Sequence, residues 1–412
     1  MMAKREEKEL LVGLDIGTSK IVAIVAEVGA DNTVDVIGIG VAPSKGLKRG
    51  VVINIDATAQ NIRQAVDAAE LLAGVQISKV YAGIAGSHIK SLNSDGVVSI
   101  KDREVSADDI SRVIDVAQSV PIASDQRVIH VIPQEFIIDN QEGIKEPVGM
   151  CGCRLEAKVH LVTGATGAVQ NISKAVQNCG LELVDVVLEQ IASSASVLSD
   201  DERELGVCLI DIGGGTTDIA VFTNGSLRHT AVIPIAGDQI TSDIAVALRT
   251  PTKHAEDIKM RYACALRSLV EDDQEIEVPG VGDRPAQRLS RSSLVDVIEP
   301  RVEELLSMVR QELQRSGFEG QLGAGIVITG GTAKMEGLET LAVEVFHEPV
   351  RIGVPTQVTG LVNEARDPIH ATGVGLIIEA AKAQEQGRPM LDVSRGERGI
   401  FERMVSWFKD GF

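Results

Sequence analysis

The sequence predicts an α/β fold built from two similar halves, and two observations carry that expectation. Each half opens with three short apolar stretches separated by turn residues, then continues into alternating strand and helix patterns. The first turn of each half also follows an aspartate. The segments are Asp15-Ile16-Gly17-Thr18-Ser19-Lys20 and Asp211-Ile212-Gly213-Gly214-Gly215-Thr216-Thr217-Asp218.

In the first half, Leu10 to Leu14, Ile21 to Glu27 and Val34 to Gly40 read as strands between Gly, Ser, Asp and Asn turns. Ile62, Val66, Ala69 and Leu72 recur at helical spacing within Ala57 to Ala73, and Lys79 to Ile84 reads as a buried strand. A mixed segment follows from Gly86 to Val162, with a helix near Ala107 to Gln118 and strands near Val128 to Ile138 and Lys158 to Val162. Helix Gly167 to Asn178, strand Leu183 to Leu188 and helix Ile191 to Leu198 complete this half.

The second half restarts with strands at Gly206 to Asp211, Asp218 to Thr223 and Ser226 to Pro234. Helices at Gln239 to Leu248, Lys253 to Arg261 and Ser292 to Arg315 follow, then a strand at Gly325 to Thr329. Met335 to Phe346 and Ile369 to Lys382 read as helices. From Gln384 the chain turns polar and rich in Gly, Pro and charge, which reads as a linker.

Composition narrows the function classes. Of 412 residues, 44% are hydrophobic, enough for sizeable cores. The net charge of −19 argues against a general nucleic-acid binder, whose phosphate contacts need a basic surface. No apolar run reaches the ~18 residues of a spanning helix, and the charged start does not read as a secretory signal. Five cysteines point to a reducing compartment, and Cys151-Gly152-Cys153, with no second ligand cluster, reads as two buried or half-buried thiols.

The chemistry lies in the two aspartate turns. Glycines such as Gly17, Gly213, Gly214 and Gly215 let a backbone approach a ligand and turn its amides inward, an array suited to phosphate oxygens. Thr18, Ser19, Thr216 and Thr217 add hydroxyl donors, and Lys20 adds a positive charge. Asp15 and Asp211 can hold water around Mg2+. Two such hairpins suggest two lobes closing on one nucleotide. Ile328-Thr329-Gly330-Gly331-Thr332-Ala333 offers flat backbone for a sugar or base. Glu256 and Lys259 share a helical face, where they can reach a ribose or purine edge or simply form an ion pair.

In this order and spacing the four motifs resemble the actin-like ATPase superfamily, with its duplicated ribonuclease-H-like fold. Within it the chain resembles the FtsA family of bacterial division actins. Val12-Gly13-Leu14-Asp15-Ile16-Gly17-Thr18, Gly46-Leu47-Lys48-Arg49-Gly50, Val297-Ile298-Glu299-Pro300-Arg301 and Ser406-Trp407-Phe408 carry this resemblance. It implies two lobes with a nucleotide cleft, ATP and Mg2+ as ligands, and at most weak ATPase activity, with Glu189 or Gln190 orienting a water. It implies a first core subdomain at 1–85 and 163–198, a relocated small subdomain at 86–162, and a second core at 199–236 and 317–383. A small subdomain at 237–316 and a linker at 384–398 then precede a helix at 399–412.

The implied partners are the C-terminal peptide of FtsZ, copies of this chain in filaments or minirings, later division proteins and membrane lipid. Arg288, Arg291 and Arg301 are the basic positions suited to the FtsZ peptide. A PilM-type pilus scaffold and a metabolite kinase of the same fold are the alternative readings.

The tail has its own signal. Four of the eight Phe and Trp residues lie in the last twelve positions. Ile400, Phe401, Met404, Val405, Phe408 and Phe412 form one helical stripe, with Trp407 beside it. This predicts an amphipathic helix that lies on a membrane interface or docks on its own protein or in a partner's groove; the family resemblance implies the inner face of the cell membrane. Partial burial of such a stripe, less the cost of ordering it, amounts to ~4–7 kcal/mol. Binding of one tail is then reversible, and an array of subunits binds firmly.

Overall fold

A computed structural model of the chain describes residues 9–29, 33–271, 273–282 and 284–385. The first lobe is a six-stranded sheet in the order Glu182–Leu188, Lys79–Ile84, Glu9–Ile16, Lys20–Val28, Val34–Pro43 and Val358–Gly360. Glu9–Ile16, Lys20–Val28 and Val34–Pro43 form an antiparallel meander, and Lys79–Ile84 and Glu182–Leu188 extend it in parallel. The second lobe repeats this topology with Ser226–Ile233, Thr217–Thr223, Val207–Ile212, Ile326–Thr329 and Val350–Ile352. The duplication expected from the paired turns is therefore present, strand for strand. One strand, Val358–Gly360, crosses from the second half of the chain to the edge of the first sheet.

Helices cover both faces of the first sheet, so its strands read as continuous apolar runs. On one face lies Ile55–Ala73, started by the Asn54 side chain and stopped by Gly74 at φ 70°. It passes so close that a Cβ on Gly40 would stand 1.9 Å from the Ala65 carbonyl oxygen. On the other face lies Ala371–Glu385, where every residue from Ala371 to Ile378 is buried. Two glycine contacts admit this helix: a Cβ on Gly13 would meet the Gly373 oxygen at 2.5 Å, and one on Gly375 the Ala192 oxygen at 1.7 Å.

The segment between the first lobe's strands folds separately. Its four-stranded sheet runs Lys90–Ser99, Arg154–Ala165, Gln126–Ile138 and Gln141–Ile144, with the helix Ala107–Gln118 on one face. Ser106 and Asp109 cap that helix reciprocally. The opposite face meets the strand Ser226–Ile233 of the second lobe through polar side chains. Ser91 Oγ donates to the Thr230 oxygen at 2.9 Å, Asn93 Nδ2 to the Arg228 oxygen at 3.2 Å, and Gln134 Nε2 to the Leu227 oxygen at 2.9 Å. The pairing of this strand with Thr217–Thr223 carries a register shift between Val221 and Phe222, opposite the same stretch.

Several elements differ from expectation. Lys90–Ser99, Asp200–Leu205 and the hairpin Glu275–Val278 with Gln287–Ser290 had no apolar period to announce them. The helix expected from Ile191 begins at Glu189, and the one expected from Met335 is Leu338–Phe346 after a short turn at Gly331–Lys334. The last described helix runs through Glu385, past the start of the expected linker. Cys151 and Cys153 are exposed rather than buried. Gly152 between them backs onto Ile138, where a Cβ would meet Cγ2 at 2.3 Å, so the pair lies at the surface. The stripe from Ile400 to Phe412 lies outside the described residues.

His160 is the buried centre of the polar seam, 1% exposed. Its Nδ1 lies 2.7 Å from Asn93 Oδ1 and its Nε2 3.0 Å from Thr230 Oγ1. An amide oxygen only accepts, so Nδ1 carries the proton and Nε2 accepts from the hydroxyl. Burial, with a contribution from His229, lowers the pKa from 6.5 to about 4. Between those values the unfolded chain holds more protons than the fold. Stability should therefore fall as pH drops across that window, by roughly 3 kcal/mol from this residue. Denaturant unfolding at several pH values should show a weaker loss in His160→Gln; the same slope in both proteins would refute the assignment.

Candidate nucleotide site

The first aspartate hairpin closes after Ile16 pairs with Ile21, leaving Gly17, Thr18 and Ser19 as its tip. Thr18 Oγ1 accepts from the Gly50 amide at 3.1 Å, which ties the tip to the Gly46–Gly50 loop. The second hairpin closes between Ile212 and Thr217, with the Gly213 amide donating to the Thr216 oxygen at 3.0 Å. The two tips touch. A Cβ on Gly214 would stand 1.8 Å from Ser19 Oγ, and one on Gly215 would stand 2.6 Å from Thr18 Oγ1. Ser19 Oγ also donates to Asp238 at 3.1 Å, on the helix Gly237–Ala247 whose start bonds back to Gly213 and Gly214.

The two threonines of the second hairpin part ways: Thr217 faces the packing, and Thr216 stays with the carboxylates of the cleft. Thr217 is fully buried and donates to the Ile235 oxygen at 2.7 Å. Thr216 donates to Asp218 Oδ2 at 2.9 Å. Strand alternation explains the difference: Thr217 starts the strand Thr217–Thr223 on the face opposite to Thr216 and Asp218, so its side chain alone is taken up by the packing.

Beneath the tips four carboxylates, Asp15, Glu189, Asp211 and Asp218, lie within electrostatic reach of one another. Burial raises all four, and their mutual repulsion raises Asp15, Glu189 and Asp218 further. Asp15 rises to about 7 and Asp218 to about 8, while Glu189 stands well above its ordinary range. Asp211 is raised too, although Ser193 at 2.6 Å, Thr372 and Lys20 oppose the shift. Lys20 is itself lowered by burial and pulled back by Asp15, Asp367 and Asp211. Asp218 closes the second motif in the sequence, and only the fold reveals that it belongs with the other three.

Glu189 and Gln190 both reach the carboxylate group, through different contacts. Gln190 is fully buried and donates to Asp218 Oδ1 at 2.7 Å. Glu189 lies over Gly83, whose Cβ would stand 3.0 Å from Oε1, and it joins the carboxylate group. Consecutive helical residues are turned by ~100°, and the earlier helix start puts both in its first turn.

The remaining motifs wall the same cleft. Gly330, at φ 89°, allows the chain to pass where a Cβ would meet Asp211 Oδ1 at 2.3 Å. Thr332 donates to the Gly213 oxygen at 3.0 Å, and Gly331 stands exposed beside it. Lys259 pairs with Glu256 at 2.8 Å and also donates to Thr241 and the Gly237 oxygen, so the pair braces the wall behind the second hairpin. Lys334 and Asp367, paired near Lys20, are charged wall residues without a motif of their own.

The three arginines divide. Arg291 is bonded to the Tyr262 oxygen, Gln274 and Glu336, and Arg301 to Asp243 and Glu304. Both are committed to internal pairs. Arg288 is 80% exposed, with Glu275 at 3.8 Å.

The residues suit a hydrated cation. Among the described residues no three carboxylate, histidine or cysteine groups could ligate a metal directly. Mg2+ keeps several waters and takes phosphate oxygens alongside one or two carboxylates. A buried carboxylate group with a single nearby lysine, beneath two glycine-rich tips, fits that mode.

The comparisons with known proteins bear on this arrangement. A family model described as "Cell division protein FtsA" matches residues 208–375, and one described as "SHS2 domain inserted in FTSA" matches 86–163. The chain is 56% identical over 417 residues to the cell division protein FtsA of Pseudomonas aeruginosa, and 46% identical over 420 residues to that of Escherichia coli K12. Both alignments cover 100% of each chain. Among solved structures it resembles a PilM–PilN type IV pilus biogenesis complex, with TM-score 0.64, 17% identity and coverage of 90% of this chain and 98% of that one. It also resembles MreB5 of Spiroplasma citri bound to AMPPNP, with TM-score 0.55, 15% identity and coverage of 93% and 100%. At such identities the structural likeness concerns the duplicated actin-like fold alone.

The carboxylate group makes a pH-dependent claim. Asp218 keeps its proton to about pH 8 in the fold but loses it near 3.8 when unfolded. The unfolded chain therefore binds fewer protons in that window, and the residue destabilises the fold increasingly as pH rises. Without divalent cations, Asp218→Asn should raise the thermal unfolding midpoint more at pH 8 than at pH 5. An equal change at both values would remove the electrostatic cause.

Proposed function

The chain belongs to the FtsA family of cell-division proteins, and from that premise we propose that it is an ATP-binding, polymerising actin-like adaptor. In this reading it tethers FtsZ filaments to the inner face of the cell membrane, helps assemble the division ring and recruits later division proteins. The observation that carries the nucleotide part is the pair of aspartate hairpins meeting tip to tip over four carboxylates. Family identity over the full chain favours this reading over a pilus scaffold, whose likeness is one of fold.

Gly17, Thr18, Ser19 and Lys20 on one side and Gly213, Gly214 and Gly215 on the other would hold the phosphates. Asp15 and Asp211 would hold Mg2+ through water, and Gly330, Gly331 and Thr332, with Glu256 and Lys259, would wall the nucleoside. The bound Mg2+ would supply positive charge that the carboxylates and phosphates otherwise lack. Gln190 is held by Asp218, and Glu189 is one of several neighbouring carboxylates raised by burial, so neither stands out as an unambiguous catalytic base. ATP then acts mainly as a ligand that favours the closed, polymer-competent state. Gly214→Val should push the tips apart and abolish ATP binding in isothermal titration, while the parent binds ATP but turns it over far more slowly than once per second. Undiminished binding in the variant, or fast turnover lost in Glu189→Ala, would overturn the reading.

The FtsZ contact rests on the small subdomain of the second half, with Arg288 as its exposed charge. None of the described helices is long and apolar enough to cross a membrane. Attachment is assigned to the stripe of Ile400, Phe401, Met404, Val405, Trp407, Phe408 and Phe412, which holds the protein peripherally. Deleting 399–412 should abolish co-pelleting with vesicles and leave ATP and FtsZ-peptide binding intact. Trp407→Glu should weaken pelleting strongly, whereas high salt should weaken it little. Retained pelleting after the deletion would place the anchor elsewhere.

A further inference from the structure

A cavity of about 500 Å3 lies away from the nucleotide cleft, where the inserted sheet, the first lobe and the second lobe meet. Its apolar wall includes Ile132 from the inserted sheet, Ile191 from the helix Glu189–Val197, and Phe222 and Leu227 from the second lobe. Ile132 and Ile191 pack against the cores of both lobes yet keep part of their surface uncovered. Arg203 lies with its guanidinium 5.1 Å over the Phe222 ring, and its Nε is buried without a hydrogen-bond partner. Burial lowers the Arg203 pKa, with Glu379, Asp200 and Glu202 opposing the shift. A buried donor of this kind is costly unless something completes its bonding.

The rim identifies an occupant. Glu379 and Ala383, on the last turns of Ala371–Glu385, line the cavity, so the chain leaves the described body at its mouth. We propose that, away from lipid, the chain's own segment 399–412 docks in this cavity, so that the fold and the membrane compete for one apolar stripe. The residues 386–398 are ample for the return: a random coil of that length has an end-to-end distance of roughly 20 Å. Tethering at that range gives an effective concentration on the millimolar scale, so a weak contact suffices. The volume is that of a pocket for a small ligand, enough for one or two large aromatic side chains such as Trp407 and Phe408. An aromatic ring can extend the Arg203–Phe222 stack that lines the cavity. Docking does not rest on the membrane reading: a tail could occupy the cavity without binding lipid, or bind lipid without occupying the cavity.

Trp407 is the chain's one tryptophan, so intrinsic fluorescence reports on the tail directly. In the lipid-free full chain the emission should be blue-shifted and shielded from acrylamide. Ala383→Phe, which fills the mouth, should shift the emission to the red, raise the quenching constant at least twofold and increase vesicle pelleting at a given lipid concentration. Because that variant could perturb folding, a second arm uses the chain truncated after residue 398 and a 399–412 peptide added in trans. The peptide should bind the truncated parent and bind the truncated Ala383→Phe at least tenfold more weakly. Emission of a water-exposed indole in the lipid-free parent, or no peptide binding to the truncated chain, would overturn the proposal. So would a blue shift that vanishes on dilution, because the occupant would then come from a second copy. Vesicle pelleting alone tests the membrane reading, so the two can fail separately.

Discussion

The close passage of one buried helix, Ala371–Glu385, through the middle of the molecule is the contact on which the rest depends. It comes from the second half of the chain yet packs on the first lobe's sheet, with its backbone nearly touching Gly13 and Ala192. From there Thr372 reaches Asp211 at 3.3 Å, and the Ala371 oxygen accepts from Ser196 at 2.7 Å. One element thus joins the first sheet, the helix carrying Glu189 and the second aspartate hairpin. A helix buried on all sides has no polar face to give up, which is why its sequence is nearly devoid of charge from Ala371 to Ile378. Glycine rather than large side chains makes the approach possible, as close packing in protein interiors requires.

Much of this architecture was legible because its signals are local. Apolar strands ending in aspartate, glycine-rich turns and a repeat of the same order all lie within short windows, and the matching strand topologies follow from them. Less legible were elements whose logic is tertiary. Lys90–Ser99 alternates weakly because its polar side chains serve a contact with the other lobe. Thr217 reads as a ligand donor because its chemistry suits it, but the Ile235 oxygen that claims its hydroxyl is set by the fold. The local ion pairs of Arg291 and Arg301 are likewise set by the fold, since Glu336 and Asp243 lie far from them in sequence. The order of Glu189 and Gln190 around their helix depends on a start shifted by two residues, below what residue preference resolves.

The cleft is an electrostatically unfinished assembly. Four carboxylates share a buried space with Lys20, and burial raises them all, Asp15 to about 7 and Asp218 to about 8. The glycine tips above them lack side chains that could fill the gap. Both features favour a ligand that brings its own cation. Glu189 belongs to the same assembly, raised by its burial and by the charges of Asp15, Asp218 and Asp211.

The polar seam has a further meaning for how this chain stays out of trouble. Ser226–Ile233 is the outermost strand of the second lobe's sheet, and such a strand presents backbone groups that can recruit another chain into a growing ribbon. Here Ser91, Asn93 and Gln134 occupy the carbonyls of Thr230, Arg228 and Leu227 before any foreign strand can. The inserted sheet therefore serves as a guard against misassembly as well as a structural addition. A chain whose second lobe emerged folded before this cover was in place would pass through an interval of sticky, amyloid-like vulnerability; since the cover lies earlier in the sequence, synthesis delivers the guard before the edge it protects.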